Sequence, residues 1–280
     1  MHWCNFLYEI SVKPKENTNI SEMNRISTLY GVLVLCVCLV CISCGGMKRN
    51  GKSERRIAVE RKVRYFSQIE VEAPCNVYYV QSDSLCVRVH AEGDAVDAVS
   101  DIVTVHDGNK LVIRPKMFRR NLLSGNDMSG LDVYVYSPDL TDVMFKSSGT
   151  FKVLKPVDTD TLRVRLTGSG NVSFGRVVCD NLAVALEGSG NIDIDSVRGV
   201  TSYVSLLGAG NVNVRQYKFT DSRFRLMGVG DMNATLEDCN HVECELMGVG
   251  NMTLRGTARS LSQNKKGTGN INTDELKFSR

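Results

Sequence analysis

Proline and tryptophan are scarce in this chain of 280 residues, with five prolines and one tryptophan, Trp3. With so few prolines the composition is that of an ordinary globular chain. A sugar-stacking platform cannot rest on tryptophan within the repeats and would depend on tyrosines such as Tyr203. Charge of one sign is also lacking: the formal net charge is +3, which gives no reason to expect a nucleic-acid partner. No apolar run is long enough for a transmembrane helix, since the longest, Leu29 to Val40, falls well short of the ~20 residues a span requires. Histidine is sparse, and His90, His106 and His241 are too scattered to suggest a catalytic triad or a zinc cluster. Of the cysteines beyond Cys44, namely Cys75, Cys86, Cys179, Cys239 and Cys244, only Cys179 and Cys239 share a column. They lie three rungs apart, about 14 Å by strand spacing, so no disulfide framework is indicated.

The N-terminal segment is organised by a leader. Residues 1–22 have the character of neither a signal nor a domain and read as a mis-assigned start. Met23 opens a better one: Arg25, then the short apolar run, then Cys41-Ile42-Ser43-Cys44-Gly45-Gly46. This resembles a bacterial lipobox, with residues 23–43 as a lipoprotein signal peptide and Cys44 as the lipidated new N-terminus. Cys41 stands where leucine is usual, and Gly45 after the cysteine resembles lipoproteins sorted to an outer membrane. Residues 44–64 read as a basic tether, with eight Lys/Arg between Lys48 and Arg64 against Glu54 and Glu60. Beside a lipid anchor such charges are drawn to anionic headgroups at about 1 kcal/mol each, and a plain solvated linker is the alternative reading. The rest of the mature chain is net acidic by about three charges.

Residues 65–130 read as an N-terminal β region. Alternating pairs such as Ile69/Val71, Val77/Tyr79, Val87/Val89, Val103/Val105 and Leu111/Ile113 predict half-buried strands, and the alternation extends back to Ile57/Val59. Gln81-Ser82-Asp83-Ser84 and Asp107-Gly108-Asn109 are expected to turn hairpins, and Asp94–Asp101 to hold one or two helical turns. Residues 117–130 read as irregular and exposed.

From residue 131 to 280 the chain is a repeat. Gly168-x-Gly170, Gly188-x-Gly190, Gly208-x-Gly210, Gly228-x-Gly230 and Gly248-x-Gly250 recur every 20 residues, and Gly267-x-Gly269 follows one residue early. Such a period marks a parallel β-solenoid of about 20 residues per coil. Before each glycine turn Val164, Val184, Val204, Phe224 and Cys244 form one inward column, and Leu166, Leu186, Leu206, Leu226 and Leu246 another. Val172, Ile192, Val212, Met232, Met252 and Ile271 form a third after the turn. Glycine suits corners that need positive φ or leave no room for Cβ. Asn171, Asn191, Asn211, Asp231, Asn251 and Asn270 are placed to stack as an asparagine ladder. Arg223/Arg225 lie one rung from Glu243/Glu245, an expected ion-pair ladder of small energetic value.

A lipobox, an alternating strand region and coils of the form L-x-G-[SAVT]-G-[ND]-[IVM] together resemble the head GIN domain of putative auto-transporter adhesins, over roughly residues 66–280. That resemblance implies an all-β, right-handed parallel β-solenoid with no known catalytic site, in a family composed mostly of lipoproteins and secreted proteins of Bacteroidetes-type bacteria.

Several chemistries are weakly supported. The Gly-Ser-Gly-Asn turns lack the following helix that a phosphate loop requires. Calcium coordination of the nine-residue repeat kind would need regular aspartates, and only Asp193 and Asp231 recur near the turns. Ser169 and Ser189 share their column with Ala209, Val229 and Val249, which argues against a nucleophile. A β-helix polysaccharide-degrading enzyme would need clustered carboxylates; Asp193 and Asp195 are the nearest pair and read as a solvated face. One surface feature stands out: Leu207, Met227 and Met247, with Val229 and Val249, form an apolar interaction ridge if both columns face outward.

The expected protein is therefore a non-enzymatic cell-envelope lipoprotein acting as an adhesion or protein/glycan interaction module, with a periplasm-facing structural or signalling scaffold as the alternative. Neither cofactor nor metal is expected. The expected partners are a membrane through the lipid anchor, a protein or glycan ligand, and a second copy through self-association.

Overall fold

The computed structural model describes residues 56–116 and 130–279, which fall within one compact unit, Lys52–Arg280. Cys44, the signal peptide, the start at Met23 and most of 117–130 lie outside the described residues.

In chain order the elements are β1 (Arg56–Lys62), β2 (Gln68–Val71), β3 (Asn76–Gln81), β4 (Cys86–Glu92), a 3-10 helix (Gly93–Asp101), β5 (Ile102–Asp107), β6 (Lys110–Pro115) and β7 (Leu131–Ser137). There follow β8 (Asp142–Phe145), β9 (Thr150–Val153), β10 (Val157–Asp158), β11 (Thr161–Leu166), β12 (Asn171–Val178), β13 (Asn181–Leu186) and β14 (Asn191–Arg198). The last coils are β15 (Thr201–Leu206), β16 (Ala209–Tyr217), β17 (Asp221–Leu226), β18 (Val229–Leu246), β19 (Met252–Lys265) and β20 (Ile271–Phe278). Together they form a parallel β-solenoid of about seven turns with about 20 residues per coil.

Alternation decides which side chains turn inward. The strands before the glycine turns stack in parallel with Val164, Val184, Val204, Phe224 and Cys244 in register, and Leu166 through Leu246 likewise. Every residue of both columns is buried. After the turn Val172, Ile192, Val212, Met232 and Met252 align in the same way and are buried. Identical 20-residue offsets keep apolar atoms above apolar atoms, so each coil completes the core of its neighbour.

The corners are tight because consecutive rungs lie close together. A Cβ at Gly190 would fall far inside contact distance of the Gly170 carbonyl oxygen, although Gly190 itself does not take a positive φ. Gly210 meets both restrictions, with φ +147 and the Gly190 carbonyl oxygen against it. Lack of space is therefore the general reason for glycine at these turns, and positive φ is added only in the later coils.

The N-terminal β region is woven into the solenoid. β2 lies between β6 and β8, and β3 between β7 and β9, all parallel. The strands stacked on β2 and β3 are thus not their neighbours in sequence. β4 runs antiparallel to β7, β1 antiparallel to β4, and β5 antiparallel to β6. Two expectations change here. Gln81–Ser84 does not turn a hairpin, because β7 pairs with both β3 and β4 and separates them. The basic stretch does not run as a tether to residue 64, because Arg56–Lys62 is β1, held by the pairs Arg56–Glu92 (3.1 Å) and Arg88–Glu60 (2.8 Å). The second hairpin forms as expected between β5 and β6, with Gly108 at φ +60.

At the far end β19 carries Gln263 and Lys265 where the preceding rung has Cys244 and Leu246, and both are exposed. Polar residues close the core on this face, whereas on the β20 face the end strand carries Ile271 half-buried and Phe278 exposed. One polar set lies inside: Gln216, fully buried, donates to Ser202 Oγ (2.7 Å) and accepts from Ser222 Oγ (2.6 Å).

Candidate interaction surface

The residue after each inward leucine stands at the lip of the glycine corner, and the residue between the glycines stands just beyond it. Both columns face solvent. Leu207 is 44% exposed and Met227 42%, while Val229 and Val249 reach 57% and 54%. Ala209 is also exposed and Met247 half-buried. A corner holds both columns outward because the glycine on either side follows the backbone of the rung below, leaving no inward space between them. Three successive rungs thus carry a continuous apolar strip, where the earlier rungs have Thr167 and Glu187.

Beside the strip runs the asparagine column. Asn191 Nδ2 donates to Asn171 Oδ1 (2.8 Å) and Asn211 Nδ2 to Asn191 Oδ1 (3.0 Å). Higher up the side chains turn to backbone: the Asp231 amide donates to Asn211 Oδ1 (3.3 Å), the Asn251 amide to Asp231 Oδ1 (3.1 Å) and the Asn270 amide to Asn251 Oδ1 (3.2 Å). Asp231 can only accept, so it has no side-chain donor for Asn211, but it still accepts from Asn251 Nδ2 (3.2 Å). A second ladder, not anticipated from the sequence, joins Asn233 to Asn213 (2.8 Å) and Asn213 to Asp193 (2.6 Å). It binds Asp193 to the stack and separates its role from that of the exposed Asp195.

On the strand face before the corner, Arg223 pairs with Glu243 (2.7 Å) and Arg225 with Glu245 (2.8 Å). The outward residues of β11, β13, β15, β17 and β18 also border a groove of about 480 Å³. It opens where Ala183 is shorter than Arg163 and Tyr203 on the adjoining rungs.

The titratable groups are dispersed. His90 packs on Tyr134 (4.9 Å), His106 accepts from the Arg64 amide (3.1 Å), and His241 bonds Ser260 Oγ (3.0 Å). Among the described residues no group of three or more His, Cys, Asp or Glu is placed to hold a metal. The five described cysteines are free and buried, and burial pushes the Cys75 and Cys244 thiols up to about 12. Near the N-terminal end burial would raise the Glu70 carboxyl, but Lys146 and Lys110 hydrogen-bond to it and hold it at about 2.

A family model described as putative auto-transporter adhesin, head GIN domain, matches residues 65–238 and 196–280. The chain belongs to the head GIN family. Solved structures share the head GIN fold. A putative adhesin from Bacteroides fragilis is 22% identical, with 79% of this chain and 98% of that one covered and a TM-score of 0.63. A putative adhesin from Parabacteroides merdae is 15% identical, with 80% and 96% covered and a TM-score of 0.58. A protein from Parabacteroides distasonis described as a putative lipid binding protein is 22% identical, with 80% and 97% covered and a TM-score of 0.60. No curated protein matches this head GIN chain. Among the described residues no helix is long and apolar enough to cross a membrane.

Proposed function

We propose that this head GIN chain is a non-enzymatic adhesion module of the cell envelope, lipid-anchored at Cys44 to the outer membrane, whose solenoid presents the apolar corner to a protein partner or a second copy. The observation that carries the reading is the exposure of both ridge columns over three rungs. A monomer has little reason to hold Leu207, Met227, Val229 and Val249 in water on a rigid corner, whereas a docking surface does. Family membership supports an envelope role, and the lipobox-like run ending at Cys44 supports the anchor.

Two measurements test it. Met227→Glu with Met247→Glu places two charges on the ridge and abolishes association in analytical ultracentrifugation while the thermal melt stays within a few degrees of wild type; an unchanged sedimentation profile rejects the ridge. Cys44→Ala moves the protein from the membrane to the soluble fraction and removes incorporation of an alkyne fatty acid. Protease shaving of intact cells then distinguishes the two orientations, because only a surface-facing module is cut.

A further inference from the structure

We infer that the groove across β11, β13, β15, β17 and β18 is a second binding site, separate from the ridge, and that it takes a neutral linear glycan. The first argument is a breach in the core. The first inward column reads Leu162, Leu182, Ser202, Ser222, Val242 in register, so leucine gives way to serine on two rungs and an apolar residue then returns. Ser202 and Ser222 line the groove and are tied to the buried Gln216. Exchanging a satisfied polar set for apolar groups of the same shape is close to neutral in stability, and departures from the local pattern of this kind concentrate at functional sites. Both serines are buried with their hydroxyls turned inward to Gln216, so they form the wall behind the groove and leave contact with a ligand to the outward side chains.

The second argument is the chemistry of the outward column. Asn181, Thr201, Asp221 and His241 follow one another in register, at about 4.8 Å per rung, a spacing comparable with one sugar in an extended chain. Thr201 donates to Asn181 Oδ1 (2.6 Å), which leaves the Asn181 amide protons free of partners among the described residues. The Asp221 carboxylate likewise has no ion pair or hydrogen bond there. A donor and an acceptor two rungs apart suit hydroxyls along a chain, and the ring of Tyr203, 39% exposed, offers an apolar face to sugar C–H groups. Charge decides between neutral and acidic glycans. Arg163 and Arg223 line the groove against Asp221 and Glu243, so its two cations are matched by two carboxylates; with Arg223 bound to Glu243 and a net-acidic body around it, the groove offers no cationic surplus for a polyanion.

The test is affinity electrophoresis of the full lipidated chain in detergent, through gels containing α-glucan, β-mannan, xylan or polygalacturonate. At least one neutral polysaccharide retards the protein, Asp221→Ala weakens the retardation at least tenfold, and Ala183→Arg abolishes it by filling the groove. Arginine already stands in that column at positions 163 and 223, so Ala183→Arg keeps the wild-type melt. The Met227→Glu, Met247→Glu variant binds glycan like wild type, so the fate of the ridge does not decide that of the groove. The inference is overturned if no neutral polysaccharide retards the protein, if only polygalacturonate does, if Ala183→Arg still binds, or if the ridge variant loses binding.

Discussion

A methyl group added at Gly190 has nowhere to go, because the carbonyl oxygen of Gly170 on the neighbouring rung already occupies the position. Gly190→Ala therefore forces two rungs apart and should cost about 2 kcal/mol or more, read from urea unfolding. Gly175 is the control: a Cβ there meets nothing within 4 Å, and its φ is not positive. Gly175→Ala should be neutral or stabilise by about 0.5 kcal/mol through the unfolded chain. The second prediction at this scale concerns acid. Burial acts to raise the Glu70 carboxyl, yet Lys146 and Lys110 bring it from an ordinary 4.5 down to about 2. A folded pKa below the unfolded one gives stability that is fully present above pH 4.5 and disappears as pH falls through 2. Glu70→Gln should lower Tm at pH 7 and flatten its decline between those two pH values, as measured by thermal melts across the range.

Within a single coil the energy lies in the inward columns and not in the charges on the outside. Leu206 is fully buried between Leu186 and Leu226, so Leu206→Ala opens a cavity shared by three rungs and should cost about 2–5 kcal/mol. Glu243→Gln removes the partner of Arg223 from a solvent-facing ladder and should change stability by less than about 1 kcal/mol. Denaturant titrations of the two variants against wild type check both magnitudes. These elements were legible in the sequence because the repeat places like residues one rung apart: Val164 to Cys244, Leu166 to Leu246 and the asparagines could be aligned by counting. The buried Gln216–Ser202–Ser222 set was not, since glutamine and serine in a strand read as outward unless the register is already known. Both ridge columns could be named but their direction could not, because a glycine corner breaks the two-residue alternation that tells inside from outside. The groove was equally hidden. It arises from the size of Ala183 relative to residues 20 positions away on either side, a comparison that matters only once the coils are stacked.

For the molecule as a whole, contacts within the glycine-repeat coils are short-range in sequence, whereas those at the N-terminal end are not. Solenoid stability is close to a sum of neighbouring interfaces, so β13, β15 and β17 can form from contacts 20 residues apart. Loop closure over a longer separation is slower. In refolding followed by pulsed hydrogen exchange, amides of β15 and β17 should gain protection before those of β2 and β3; simultaneous protection would mean that the end strands belong to the nucleus. The interleaving of β2 between β6 and β8 has one more consequence. Ile69 packs beside Leu111 on one flank and Val143 on the other, so a chain emerging amino end first delivers this strand long before either flank exists. Vectorial synthesis therefore leaves β2 without its first flank until residue 113 has emerged, and with one open edge until residue 145 follows.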